Sequence, residues 1–278
     1  MTEYKNILVH YDASRLAPRR LEYAIGIART FEARIACLFA LDAISPPAAD
    51  DNRRRTFVEM IKELRREAMQ QARTDYEACL RRTGFEAAEW RSTELDALDA
   101  VSLHARYADL VVIGQSYAEE GGGVARAFER DLALAAGRPV VVVPYAFEQK
   151  PDTRRILIAW NASREAARAV SDAMPFLKRA THVEVVTINA RASLAGHGEE
   201  PGADIGLFLA RHGVKVVVSQ LEVPDVDAGN VLLSRAYDMQ ADLIVSGAWG
   251  HSRLRERVLG GVTRTLLESM TVPVLMSH

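Results

Sequence analysis

A chain of 278 residues, 49% hydrophobic and 26% charged, has the make-up of a globular protein with room for one large domain or two of ordinary size. Its formal charge of −2 argues against a general nucleic-acid or membrane-surface role, and no apolar run approaches the length of a membrane span. Cys37 and Cys79, the two cysteines, sit in apolar patterns and read as buried thiols, and the start Met1-Thr2-Glu3-Tyr4-Lys5 lacks signal-peptide character, so a cytoplasmic protein is expected.

The chain opens on a strand over residues 5–10, ended by Tyr11-Asp12-Ala13-Ser14, and a helix is predicted from Arg15 to Thr30. Arg34 to Leu41 is strand-like again, and Ser45-Pro46-Pro47 breaks it. From about Asp51 to Arg82 one long helix is expected, because Phe57, Ile61, Leu64, Ala68, Ala72, Tyr76 and Leu80 recur at spacings of three and four. A third strand (Phe85 to Thr93), a third helix (Leu95 to Tyr107) and a fourth strand (Asp109 to Ile113) follow. Gly114 to Gly123 reads as a loop, Val124 to Ala136 as a fourth helix and Pro139 to Val143 as a fifth strand.

The order then repeats. Arg155 to Trp160 matches Lys5 to His10, and Asn161-Ala162-Ser163-Arg164 matches Asp12-Ala13-Ser14-Arg15. Ala241 to Gly247 matches Ala108 to Gly114, and Val272 to Met276 matches Arg138 to Val142. The first copy is longer, mainly around its second helix. Strands alternating with helices imply a parallel sheet covered on both faces. The expected fold class is therefore α/β: two tandem, five-stranded, doubly wound parallel-sheet domains of Rossmann-like type. We place them at residues 1–147 and 148–278, joined by the polar link from about Ala146 to Thr153.

In such sheets ligands sit outside the carboxyl ends of the strands. There the second copy carries its most informative stretch. Leu243 to Val245 reads as a buried strand ended by Gly247; Gly250 follows, and residues 251–259 separate it from Gly260-Gly261, where a helix begins. Glycines there let backbone approach a ligand, and a helix start presents free N–H groups and positive dipole to an anion. Arg253, Arg255 and Arg257 supply positive charge nearby. The plainer reading, that these glycines only serve a turn, stands beside it.

Both copies resemble the universal stress protein family, over nearly all residues from about 4 to 277. The most specific mark is the family's nucleotide loop, Gly-x-x-Gly, nine residues, then Gly and Ser or Thr: Gly247, Gly250 and Gly260 match, while Gly261 stands where the hydroxyl residue is expected. Thr263 offers a hydroxyl two residues on. The resemblance implies an adenine-nucleotide-alpha-hydrolase-like fold and a stress-response role. It also implies ATP or a related adenine nucleotide bound in the second domain. Gly247, Ala248, Gly250, Gly260, Gly261 and Val262 would then supply backbone N–H groups, Asn161 and Ala162 border the ribose or phosphates, and His251 and Thr263 assist. The family's acidic residue after the first strand is Asp12 in the first copy but Asn161 in the second, a weaker acceptor. In the first copy Tyr117 replaces the second glycine, Glu119 and Glu120 bring negative charge, and the loop is read as degenerate. The family further implies pairing of the two domains about a pseudo-twofold, with a homodimer as a further possibility.

Other candidates weigh less. Arginines of the long helix interleave with Glu59, Glu63, Glu67, Asp75 and Glu77 at ion-pair spacings, which reads as a solvated face. His197 lies in a glycine-rich loop without a metal-ligand spacing. Trp160 and Trp249 either wall a base pocket or close the top of the sheet. Asp109 and Asp242 precede the fourth strands, opposite the ligand end, and read as structural. No Gly-x-x-x-x-Gly-Lys-Ser/Thr loop, no Gly-x-Ser-x-Gly elbow and no carboxylate pair for magnesium occurs. Two alternatives to a nucleotide sensor remain at this stage: a scaffold that binds no nucleotide, and a weak ATP hydrolase able to phosphorylate itself at Ser252 or Thr263.

Overall fold

The computed structural model describes residues 3–44, 51–116, 123–125, 127–147, 153–190, 199–248 and 261–278. In the first half, β1 (Asn6–Tyr11), α1 (Ala17–Phe31), β2 (Arg34–Phe39), α2 (Asp51–Thr83), β3 (Ala88–Ser92), α3 (Ala97–Ala105), β4 (Leu110–Gly114), α4 (Phe128–Ala135) and β5 (Val140–Val143) follow one another. The second half runs β6 (Arg155–Ala159), α5 (Arg164–Arg179), β7 (His182–Ile188), α6 (Ala203–Arg211), β8 (Val216–Leu221), α7 (Ala228–Asp238), β9 (Leu243–Gly247), α8 (Gly261–Ser269) and β10 (Val274–Ser277). The extra length of the first half is α2, 33 residues against nine in α6.

All ten strands join one sheet in the order β3-β2-β1-β4-β5-β10-β9-β6-β7-β8. Each half is parallel and doubly wound, and β5 and β10 meet antiparallel. Val141 lies opposite Leu275 there. The central strands read as unbroken apolar runs because both faces are covered. Val140, Val141 and Val142 are buried on β5, and Val274, Leu275 and Met276 on β10. The halves also meet through side chains: Tyr4 packs on Phe31 and Phe176 with ring centroids 5.0 Å away in each case, and its hydroxyl donates to Asp172 O at 2.6 Å.

Asp109 and Asp242 do the structural job expected of them. Asp109 Oδ2 accepts from Lys5 N and Asn6 N, and Asp242 Oδ2 from Arg154 N and Arg155 N. These matching contacts also correct the repeat. Asn6, not Lys5, is the counterpart of Arg155, so His10 corresponds to Ala159 and Tyr11 to Trp160. The apolar stretch alone does not fix where a strand starts, and the sequence match had slipped by one residue.

Smaller differences follow from local chemistry. β3 starts at Ala88 rather than Phe85, and α4 at Phe128 rather than Val124. Cys37 and Cys79 are buried free thiols, as expected. Burial pushes both thiol pKa values up, that of Cys79 to about 11, which keeps them protonated and unreactive. On α2 the charges pair along the helix, Arg66 with Glu63 and Arg73 with Glu77, and all four side chains are largely exposed. Such pairs add little stability. No helix among the described residues is long and apolar enough to cross a membrane.

Candidate nucleotide site

At the carboxyl edge of the second half, a cleft of about 280 Å³ opens between the ends of β6, β7 and β9 and the starts of α7 and α8. Its walls include Trp160 and Asn161 after β6, Val186 and Ile188 on β7, Leu232 on α7, Ser246 and Gly247 on β9, and Gly261, Val262 and Thr263 at the head of α8. One end is apolar and aromatic; the other is main chain at a helix start. That division suits a flat heterocycle bearing an anionic tail.

Each wall has a local cause. Gly247 is required by packing: a Cβ there would lie 2.6 Å from Ala166 N and 2.7 Å from Glu165 C, so only glycine lets the first turn of α5 close on β9. α5 itself begins at Ser163, whose side chain accepts from Ala166 N at 3.1 Å. Asn161 Oδ1 accepts from Ser163 N at 3.2 Å, which fixes the turn and leaves the side chain exposed at the cleft. A Cβ at Gly261 would make ordinary contact with Asp227 Oδ1 at 3.6 Å, its nearest neighbour among the described residues, so the family's hydroxyl residue would fit against them.

Two expectations need correction. Ala248 is wholly buried and donates its N–H to Ser277 O at 2.8 Å, so its amide serves the β9–β10 ladder and not a ligand. β10 extends to Ser277, one residue beyond the apolar match, and that extra residue takes the amide. Ala162 does not line the cleft; it makes the turn before α5 with φ +56°, a left-handed conformation unusual for alanine. Asn161, Gly247, Gly261, Val262 and Thr263 all line this one cleft, Thr263 being buried. Gly250, His251, Gly260, Trp249, Ser252 and Arg253, Arg255 and Arg257 lie outside the described residues, as do His197 and Tyr117, Glu119 and Glu120. Val186, Ile188, Ala228 and Leu232 were missed by sequence reasoning. Their signal was positional: the carboxyl end of β7, the strand beyond β6, and the start of α7, the helix that leads into the glycine-loop strand.

Among the described residues, side chains occupy the corresponding corner of the first half. His10 stands where the second half has Ala159, and its buried ring packs against Phe128 with centroids 4.8 Å apart. Asp12, the family-like acid, is buried and committed to Arg20 of α1 at 3.0 Å, with both side chains about 5–6% exposed. Arg20 Nη1 also donates to His10 O at 2.7 Å, and Ser14 N and Oγ donate to Asp12 Oδ1. Where the second half packs Glu165 and Ala166 against Gly247, the first has the Arg20 guanidinium against Gly114. Asp42 then ties down the far end of the glycine segment, its N–H donating to Gly123 O and its Oδ2 accepting from Ala125 N.

These groups make stability pH-dependent. Burial holds the His10 pKa at about 4, aided by Arg20 and opposed by Asp12 and by the bond to Ala40 O, so Nε2 carries the proton of a neutral ring. For Asp12, burial alone would raise the pKa, but Arg20, His10 and the Ser14 bonds outweigh it and the net shift is downward. A histidine lowered in the folded state contributes stability that is present above its unfolded value, near 6.5, and lost as pH falls toward 4. The loss expected from His10 is about 3 kcal/mol. Asp12 adds a further loss below about pH 4. Urea midpoints between pH 7 and 4 should fall accordingly, and His10→Leu should flatten that slope; an unchanged slope in the variant would contradict the assignment.

Comparison with known proteins agrees with the tandem fold. The universal stress protein family model matches residues 3–144 and again 152–278. The chain belongs to the universal stress protein family. It is similar in fold to a universal stress protein from Archaeoglobus fulgidus DSM 4304, with TM-score 0.69, 14% identity and coverage of 98% of this chain and 95% of that one. A putative universal stress protein from Pseudomonas aeruginosa UCBPP-PA14 aligns with TM-score 0.59 and 16% identity over 99% and 93% of the two chains. A functionally unknown protein from Pseudomonas aeruginosa PAO1 aligns with TM-score 0.58 and 14% identity, over 99% and 92%. No curated protein matches the chain. At these identities the structural likenesses speak for the tandem fold alone.

Proposed function

We propose that the second half of this universal stress protein binds an adenine nucleotide, ATP or a relative of it, and reports its occupancy by conformation in a stress response. The observation that carries this reading is the contrast, among the described residues, between the two carboxyl-edge corners: a cleft beside β6 and β9, and His10, Phe128 and the Arg20–Asp12 pair beside β1 and β4. In the open corner the N–H groups of Gly261 and Val262, at the positive end of α8, would receive phosphate. Asn161 would accept from a ribose hydroxyl, and Trp160, Val186, Ile188 and Leu232 would enclose the base. Gly250, His251 and Gly260 belong to the same reading by sequence.

The role proposed here is binding. Among the described lining residues there is no carboxylate, imidazole or amine to activate a water, and no carboxylate to hold magnesium. Mass spectrometry of small molecules released from the purified protein separates the alternatives. An adenine nucleotide, recovered unchanged, supports the sensor. No nucleotide, even after incubation with ATP, supports a scaffold. Conversion of ATP to ADP on the protein supports a hydrolase.

A further inference from the structure

Asp227 caps α7: its Oδ2 accepts from Asn230 N at 3.1 Å. The same carboxylate reaches the head of α8, with Oδ1 3.6 Å from the position a Gly261 Cβ would take. Its place is fixed twice, by the cap and by the close approach of α7 to α8 at Gly229, where a Cβ would fall 2.5 Å from Thr265 Cβ. So a fixed negative charge borders the helix start that the proposed reading gives to phosphate. The described residues lining the cleft include no cation, and Arg253, Arg255 and Arg257 lie outside the described residues.

We infer that Asp227 is a specificity-determining residue, which sets the cleft for a nucleoside or nucleoside monophosphate over its more highly phosphorylated forms. This rests on the reading of the cleft as an adenine-nucleotide site. The dipole of α8 rewards one anionic group near the first turn, but each further phosphate charge is placed against a carboxylate a few ångströms away. The side chain is exposed, so the penalty is moderate and falls with salt.

The test measures dissociation constants of adenosine, AMP and ATP by calorimetry in EDTA at low salt, for wild type, Asp227→Asn and Asp225→Asn. Asparagine also caps helices well, so the first variant removes the charge and keeps α7. Wild type should bind AMP at least as tightly as ATP. Asp227→Asn should tighten ATP about fivefold and AMP about twofold and leave adenosine unchanged, with the gain fading at high salt. Asp225→Asn, a charge removed two residues away, should leave the ATP-to-AMP ratio as it is. The inference fails if Asp227→Asn keeps the wild-type ratio, if wild type prefers ATP over AMP, or if Asp225→Asn shifts the ratio equally. Should none of the three ligands bind to wild type or variants, the reading of the cleft fails and takes the inference with it.

Discussion

Arg20→Met is expected to destabilise the protein by about 3–5 kcal/mol, the range for breaking a buried ion pair by removing one partner. The cause is not the loss of attraction but the carboxylate left behind. Asp12 is buried, and among the described residues it keeps, without the guanidinium, the Ser14 hydrogen bonds. Urea denaturation at pH 7 should show the fall in midpoint with little change in slope. Adding Asp12→Leu to Arg20→Met should recover most of the loss, since an apolar pair of similar volume replaces a buried ion pair at little cost. A single variant within about 1 kcal/mol of wild type would mean that Asp12 is not held as described, and that the first-half corner is less firmly closed than the geometry indicates.

The other large effect is expected at Gly247. Alanine there directs its methyl at Ala166 N and Glu165 C, which are main chain and cannot rotate away, so α5 must shift from β9. Overpacking of this kind costs about 1–3 kcal/mol, and the backbone contact puts Gly247→Ala at the upper end. The shift would also move Ser163 and the Asn161 turn, and nucleotide binding should weaken in the same variant. Gly261→Ala supplies the contrast: with no described residue nearer than 3.6 Å, it should stay within about 0.5 kcal/mol of wild type. Equal stability losses in the two variants would contradict the assignment of Gly247 to helix packing.

Much of the fold was legible because parallel strands buried on both faces leave apolar runs such as Val140 to Val143, and because the second copy repeats the first. The strand register was not, since an apolar run gives no sign of which residue begins the ladder; Asp109 and Asp242 settle it through backbone contacts far away in sequence. Gly247 and Gly261 stood out by spacing and Asn161 by the resemblance to the family, whereas the fate of the Ala248 amide depends on where β10 ends. The closing of the first-half corner was hidden for a different reason. His10, Phe128 and Arg20 look like ordinary members of a strand and two helices, and only the fold brings them to one place. Asp227 was likewise invisible as a neighbour of Gly261, because its cap position speaks only of α7.

The central claim is that one of two related corners receives an adenine nucleotide while its twin is shut by its own side chains. Isothermal titration of nucleotide-free protein with ATP tests it most directly. One site per chain, weakened in Gly247→Ala and unaffected by His10→Leu, is the predicted result; two equivalent sites, or no heat of binding at any concentration reached, would contradict the account.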